Sequence, residues 1–353
     1  MKIFAIETSC DETALSLVEC TGGAKKPQFK VLKNLISTQI AVHRPFGGVV
    51  PSLAKREHIK NLPKLLKRMG FSASGKEFDA IAVTVGPGLE PALWQGVEFA
   101  QALAKKFNKP LIGANHMEGH MYSILLPKNA VSTKMPSSKF QVKKFGTENP
   151  KVKFPAVGLV VSGGHTIVVR MDSFTKWKKL GETRDDAAGE AFDKVARMLK
   201  LPYPGGPEIQ KLGAKGNPKA IDFPKPMINS GDYDFSFSGL KTAVLYYLRD
   251  HPRANKADVA ASFQQAVIDV LTKKAMRAAE QFGAQTVFLC GGVAANKPLR
   301  ASLQLQAERR GMHFVVPEFV FNTDNAVMIA AAAYIGHLRK KTYKIVVNPH
   351  LNL

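Results

Sequence analysis

The chain starts the same way twice, and this constrains its fold more than any other feature. Residues 2–18 (KIFAIETSCDETALSLV) read as two apolar, strand-like runs around a polar turn, and residues 156–171 (AVGLVVSGGHTIVVRM) repeat that plan. This is an internal repeat with one hairpin opening each half of the chain. A length of 353 residues likewise suggests two domains, with ample material for two cores. The two hairpin tips differ in chemistry. The first holds Glu7, Thr8, Ser9, Asp11, Glu12 and Thr13, whose hydroxyls suit phosphate and whose carboxylates suit water or a cation. In the second, Gly163 and Gly164 let the backbone approach a phosphate and aim N–H groups at it. Ser162 is not a hydrolase nucleophile, because that elbow needs glycine two places earlier, where Val160 stands.

The hairpins are followed by α/β alternation. A glycine-proline break at 46–51 leads into a helix with Ser52 as the expected N-cap. Leu62, Leu65 and Leu66 give that helix an apolar side, and Lys55, Arg56 and Lys60 a basic one. Residues 80–85 read as a buried strand, 86–88 (GPG) as a tight turn, 91–107 as a helix and 111–113 as a strand. In the second half, helices are expected over 185–199, 257–282 and from 298. A strand is expected over 286–289 and a strand-turn segment over 235–241. The strand, double glycine (Gly291, Gly292) and helix start at 286–298 suit an adenosine over backbone, with helix N–H groups aimed at phosphate.

Residues 115–120 (NHMEGH) follow a parallel-type strand, where open α/β sheets collect ligands. His116 and His120 are four apart, so one helical turn points both the same way, a common way to offer a metal two ligands. Glu118 comes two places after the first histidine, whereas a zinc-peptidase helix has its base immediately after it. Asp324 in the segment FNTDNA is open to two readings, an N-cap or the carboxylate completing a two-His, one-carboxylate site.

Charge and cysteine use bound the setting. The 50 Lys and Arg against 28 Asp and Glu give a formal net charge of +22, which favours polyanionic partners such as RNA, DNA or anionic lipid. The three cysteines form no CxxC pair, and neither a signal segment nor a membrane-length apolar run is legible, so a cytoplasmic protein without membrane attachment is expected. Residues 127–155, rich in lysine, proline and serine, read as a basic linker or insertion between lobes at 1–126 and 156–353.

Taken together, IETSCDET, GGVVPSLAKREH, VGPGLEPALWQGVEFA, NHMEGH, LVVSGGHT, DDAAGEAFDK with YPGGP, FSFSGLKTA, CGGVAAN and NTDNA resemble the bacterial TsaD family and its Kae1 counterpart over almost the whole chain. The resemblance implies an α/β, ASKHA-type fold (actin, sugar kinase, Hsp70), with two similar lobes around a nucleotide cleft and the last helix returning toward the first lobe. It implies transfer of threonylcarbamoyl from threonylcarbamoyl-AMP to N6 of the adenosine 3′ of the anticodon in tRNAs reading ANN codons, with release of AMP. The metal ligands would be His116, His120 and Asp324, holding one divalent ion, iron first and zinc or magnesium as alternatives. Because ligating imidazoles are neutral, occupancy is expected to fall below about pH 6. Adenylate contacts would come from Val160, Val161, Ser162, Gly163, Gly164, Asp193, Gly206 and Asn296. Where many relatives have a ribose-contacting Asp, this chain has Gln210. Asp11 or Glu12 would orient or deprotonate the acceptor amine. The implied partners are tRNA, a TsaB-like paralogue on the helices at 52–69 and 91–107, and a TsaE-like ATPase. A small-molecule kinase or ATPase of the same fold is the alternative, and would need no HxxxH–Asp group.

Overall fold

The computed structural model describes residues 1–128, 149–341 and 343–353, and the backbone of the strands Val131–Lys134 and Phe140–Lys144. Within the basic stretch expected at 127–155, residues 129–130, 135–139 and 145–148 lie outside the described residues. The chain forms two compact units, Met1–Lys151 with Pro317–Leu353, and Val152–Val316.

In the first unit, β1 (Lys2–Glu7), β2 (Glu12–Thr21) and β3 (Gln28–Thr38) form an antiparallel meander. After α1 (Ile40–His43) and α2 (Pro51–Met69), β4 (Ala80–Gly86) pairs parallel to β1. Next come α3 (Glu90–Phe107), β5 (Leu111–Asn115) parallel to β4, and the short helix α4 (His116–Tyr122). The sheet order is β3-β2-β1-β4-β5. Every residue of β4 is buried, as a parallel strand covered on both faces requires. The apolar faces of α2 and α3, led by Leu62, Leu65, Val97 and Leu103, fill this unit's core. A two-stranded ribbon, β6 (Val131–Lys134) and β7 (Phe140–Lys144), ends the unit's first segment.

The second unit repeats the wiring. It begins with the meander β8 (Ala156–Val161), β9 (Thr166–Ser173) and β10 (Lys176–Glu182). The helices α5 (Ala188–Met198), α6 (Gly205–Gly213), α7 (Ser238–Asp250) and α8 (Lys256–Gln281) follow. β11 (Thr286–Cys290), α9 (Lys297–Glu308) and β12 (His313–Val315) complete it, with both strands parallel to β8. The order β10-β9-β8-β11-β12 matches the first sheet strand for strand. Gly158 of β8 is paired with Phe288 of β11, and a methyl group on Gly158 would enter the space of the Phe288 ring. Gly158→Ala is therefore expected to destabilise this unit by about 1–3 kcal/mol through overpacking, read as a lower midpoint in denaturant unfolding.

Three expectations are corrected. Helix α2 starts at Pro51 with Val50 as its N-cap and no side-chain cap, so Ser52 lies inside the first turn. Proline at the first helical position needs no N–H and supplies the helical φ, which leaves the serine nothing to do there. Residues 235–241 make no strand: Phe235 forms one isolated bridge to Thr183, and α7 begins at Ser238. Finally, residues 317–353 group with the first unit, whereas the second lobe was expected to run to 353. The cause is α10 (Ala326–Leu338), buried from Ala326 through Gly336, which packs on α4, β1, β2 and β5. A helix that is apolar all round has no solvent face, and the first unit covers it.

Candidate metal centre and glycine loops

His116, His120 and Asp324 each offer one ligand atom, and these atoms lie within 4.8 Å of one another in the first unit. Local sequence explains how they meet. Asn115 ends β5, and its Oδ1 accepts the N–H groups of Met117 (2.8 Å) and Glu118 (3.2 Å), starting α4 with His116 as its first residue. One turn on, the His120 ring lies 4.7 Å from that of His116, edge to face. Gly119 between them lies under α10, where a Cβ would come 3.1 Å from both Met328 and Ile329. The missing side chain lets α10 cross closely and bring its leading loop to the histidines. The N-cap of α10 is Asn325, which accepts from Met328 N–H (3.0 Å) and donates to Thr323 O (2.8 Å). Asp324 is thus not the cap. Its Oδ1 lies 3.4 Å from His116 Nε2 and 3.2 Å from His120 Nε2.

Behind His116 lies Glu7, one of the hairpin-tip carboxylates suited to water or a cation, here turned toward a histidine. Glu7 Oε2 is 3.1 Å from His116 Nδ1 and accepts from Thr84 Oγ1 (2.6 Å), while Oε1 accepts from Ser9 N–H (2.5 Å). Glu7 is fully buried. Burial pulls the His116 pKa down, but Asp324 and then Glu7 outweigh it and raise the value to about 10. Burial alone would raise Asp324, yet His116 and His120 hold it well below the usual carboxylate range. His120 goes the other way, lowered first by burial. Its Nδ1 is buried without a hydrogen-bond partner, while Nε2 faces Asp324 Oδ1. The imidazole–imidazole–carboxylate donor set could hold a metal ion and suits a divalent transition ion. Asp324 and Glu7 favour the protonated form of His116, so a cation bound there would compete with that proton.

The first hairpin tip lies in the same unit. Asp11 is buried, and Glu12 Oε1 accepts from Thr38 Oγ1 at 3.3 Å. The Glu12 carboxyl is pushed well above its usual range by burial, then by the charges of Asp11 and Asp324. His58 braces the tip: Nε2 donates to Cys10 O (2.9 Å), so Nδ1 accepts from Thr13 Oγ1 (2.8 Å). Glu118, buried, accepts from Arg339 at 2.7 Å and is committed to that ion pair rather than to a peptidase base's role.

In the second unit, the loops after the parallel strands β8 and β11 lie side by side. A Cβ on Gly291, whose φ is +90°, would run into Val161 O. Gly189, opening α5, packs on Ser162 O and Gly163, and Gly205 packs on Asp193, whose Oδ1 accepts its N–H (2.7 Å). Their neighbours are different: Gly163, Gly164, Gly206 and Gly292 have nothing within 4 Å of a would-be Cβ, and none has positive φ. Neither backbone conformation nor packing within the fold requires glycine at these four positions. Ser162 N–H is taken by His165 O (2.8 Å), so it is not one of the amides open to a phosphate. Val160 and Val161 are buried in the ladder and carry the turn to the sheet edge. Asn296 Oδ1 caps α9 through Leu299 N–H (3.0 Å), and its Nδ2 donates to Gln264 (2.8 Å). Gln210 Oε1 accepts from Lys297 N–H at 2.8 Å.

A family model described as "TsaD: tRNA N6-adenosine threonylcarbamoyltransferase" matches residues 30–139 and 138–331. A Thermosipho melanesiensis protein of that name is 46% identical over 355 residues, covering 100% of both chains. One from Moorella thermoacetica is 47% identical over 96% of this chain and 92% of its own. The chain belongs to the TsaD family. Among solved structures, full-length HypF in its phosphate- and nucleotide-bound form aligns with a TM-score of 0.55 at 13% identity, over 96% of this chain and 46% of that one. The activator of the 2-hydroxyisocaproyl-CoA dehydratase from Clostridium difficile, with bound ADPNP, aligns at 0.50 and 12% over 96% of both. These likenesses concern the fold, which is the ASKHA fold. Within the TsaD motifs, Glu7 had one sequence signal: a carboxylate ending an otherwise apolar strand. DDAAGEAFDK and FSFSGLKTA have a structural link, since Asp185 Oδ1 accepts from Phe237 N–H (2.8 Å) and Asp186 pairs with Lys241 (2.9 Å). No helix among the described residues is long and apolar enough to cross a membrane.

Proposed function

We propose that this chain transfers the threonylcarbamoyl group of threonylcarbamoyl-AMP to N6 of the adenosine 3′ of the anticodon in tRNAs reading ANN codons, releasing AMP. The observation that carries this reading is the His116–His120–Asp324 group, its two histidines buried, in a chain matched end to end by TsaD-family relatives. A small-molecule kinase of the same fold has no use for that group. The formal charge of +22 suits a tRNA substrate.

In the reaction, a bond forms from N6 to the carbamoyl carbon and the bond from that carbon to the phosphate oxygen breaks. AMP leaves with the oxygen, and the N6 proton passes to a base. Asp11 is our candidate for that base. The neighbouring Glu12, whose carboxyl burial and the Asp11 charge push up, is the other candidate, for orienting the amine. His116, His120 and Asp324 would hold one divalent cation per subunit, iron(II) before zinc or magnesium, which would supply Lewis-acid polarisation of the carbonyl and charge compensation for the leaving phosphate. Gly163 and Gly164 amides hold phosphate oxygens, each well-placed donor contributing about 3 kcal/mol in the transition state. Asp193, Gly206 and Asn296 flank the adenosine. A TsaB-like paralogue and a TsaE-like ATPase are the proposed partners, and the cytoplasm is the proposed setting. Since the apolar faces of α2 and α3 fill the core, contact with the paralogue falls to their exposed Ile59 and Trp94.

The test combines the purified chain, TsaB- and TsaE-type partners, tRNA for an ANN codon and threonylcarbamoyl-AMP. It compares wild type with His116→Ala/His120→Ala. Modified nucleoside is expected from wild type alone. Product from both would reduce the histidines to structure. No product from wild type, with ATP hydrolysis or sugar phosphorylation in its place, would sink the transferase reading.

A further inference from the structure

We infer that the closing segment Tyr343–Leu353 is a strap that positions the helix carrying the two histidine ligands. This inference rests on the metal-site reading above. The strap is bound to the sheet edge through its main chain. Tyr343 bridges Gly113 of β5, Asn348 N–H donates to Val85 O (2.8 Å), and Gly88 N–H donates to Pro349 O (3.2 Å). The sheet edge is cut to receive it. A Cβ on Gly113 would lie 2.7 Å from Tyr343 O, and one on Gly86 would strike Asn348 O. Unlike the four open glycines of the second unit, Gly113 has no room for a side chain because the strap passes over it, and at Gly86 a φ of +151° demands glycine as well.

The strap ends on the side chain that starts the metal helix. Asn115 Nδ2 donates to Asn352 O at 3.1 Å, while Oδ1 of the same amide caps Met117 and Glu118. An amide is planar, so holding its nitrogen fixes where its oxygen points. That oxygen in turn sets the first turn of α4, from which the His116 and His120 rings project. A seven-residue helix has little stability of its own and takes its orientation from such ties. The opposite side of α4 is tied by Glu118 to Arg339, just past α10, so the helix is held from both ends of the same returning segment. Leu351, partly buried against the first unit's core, anchors the strap from its own side.

The simpler reading is that the strap only seals the sheet edge, and metal binding separates the two. Two full-length variants loosen the strap from opposite sides. Asn115→Ser retains a capping oxygen but loses the donor to Asn352, and Leu351→Ser removes the apolar anchor far from the ligands. Cobalt(II) is titrated into wild type and variants, following its visible absorption, with hydrogen exchange at Met117 and Glu118 in parallel. Both variants are expected to bind cobalt about tenfold more weakly, the scale of an outer-shell partner, with an altered absorption band and faster amide exchange. Faster exchange with wild-type cobalt affinity would reduce the strap to a seal and overturn the inference. A wild type that takes up no cobalt would overturn the metal-site reading itself.

Discussion

Asp324→Ala will abolish tight metal binding and tRNA modification together while leaving the metal-free fold intact. The substitution removes a direct ligand, so the loss of affinity should exceed the roughly 10- to 100-fold typical of an outer-shell partner. Its second effect is electrostatic. With Asp324 gone, the His116 pKa falls back from about 10, because burial, which opposes the charged form, is then balanced by Glu7 alone. The wild type therefore has two opposed pH trends. Because the folded His116 pKa is raised, its pairing stabilises the metal-free protein fully below the unfolded value of about 6.5. That contribution is lost as pH rises toward about 10. Asp324, depressed, contributes above the usual carboxylate range and loses its share as pH falls. Metal affinity runs the other way: a cation bound at His116 would displace its proton, so affinity should rise as pH climbs toward about 10. Calorimetry in buffers of different ionisation enthalpy reads the released proton directly. Asp324→Ala should flatten that slope. A slope already flat in wild type would mean that His116 is neutral before metal arrives.

The second large effect is expected in the other unit. Gly164→Val should leave stability within about 0.5 kcal/mol, because nothing lies near the new side chain and the backbone there is not left-handed. The same substitution should weaken threonylcarbamoyl-AMP binding and turnover by about a hundredfold, because valine fills the space in which a phosphate would meet the amide. Gly189→Ala is the contrasting control. Its methyl group would meet Ser162 O and Gly163, so that variant should lose stability as well as binding. Equal binding by Gly164→Val and wild type would remove the loop from the adenylate site.

Much of this architecture was legible because its signals are local. Buried parallel strands such as Ala80–Gly86 announce themselves as unbroken apolar runs, and both hairpins share one pattern. The histidine pair was legible because its spacing is a property of one helical turn. What escaped depends on contacts between distant segments. Nothing near Glu7 says that His116 will lie behind it, and nothing in FNTDNA says that Asn325 rather than Asp324 will cap α10. The strand-turn segment expected at 235–241 became a helix start for a related reason. Phe235 and Phe237 are buried and look strand-like, but Asp185 captures the Phe237 and Ser238 N–H groups and turns the chain into a helix. Glycine was the least legible letter, since Gly205 and Gly206 read alike although one is packed and one is open.

The matched strand orders of the two units have a consequence for how ligand preference evolves. After β1, the first unit places the carboxylates and hydroxyls of Glu7, Thr8, Ser9, Asp11 and Glu12. After β8, which holds the same place in the second sheet, the second unit places Gly163 and Gly164. The wiring diagram is neutral toward the sign of what it holds. A duplicated scaffold of this kind separates the inheritance of shape from the inheritance of charge. One copy could drift toward cations and the other toward anions by rewriting loop residues, while the buried strands that determine foldability stayed under the same restraint in both.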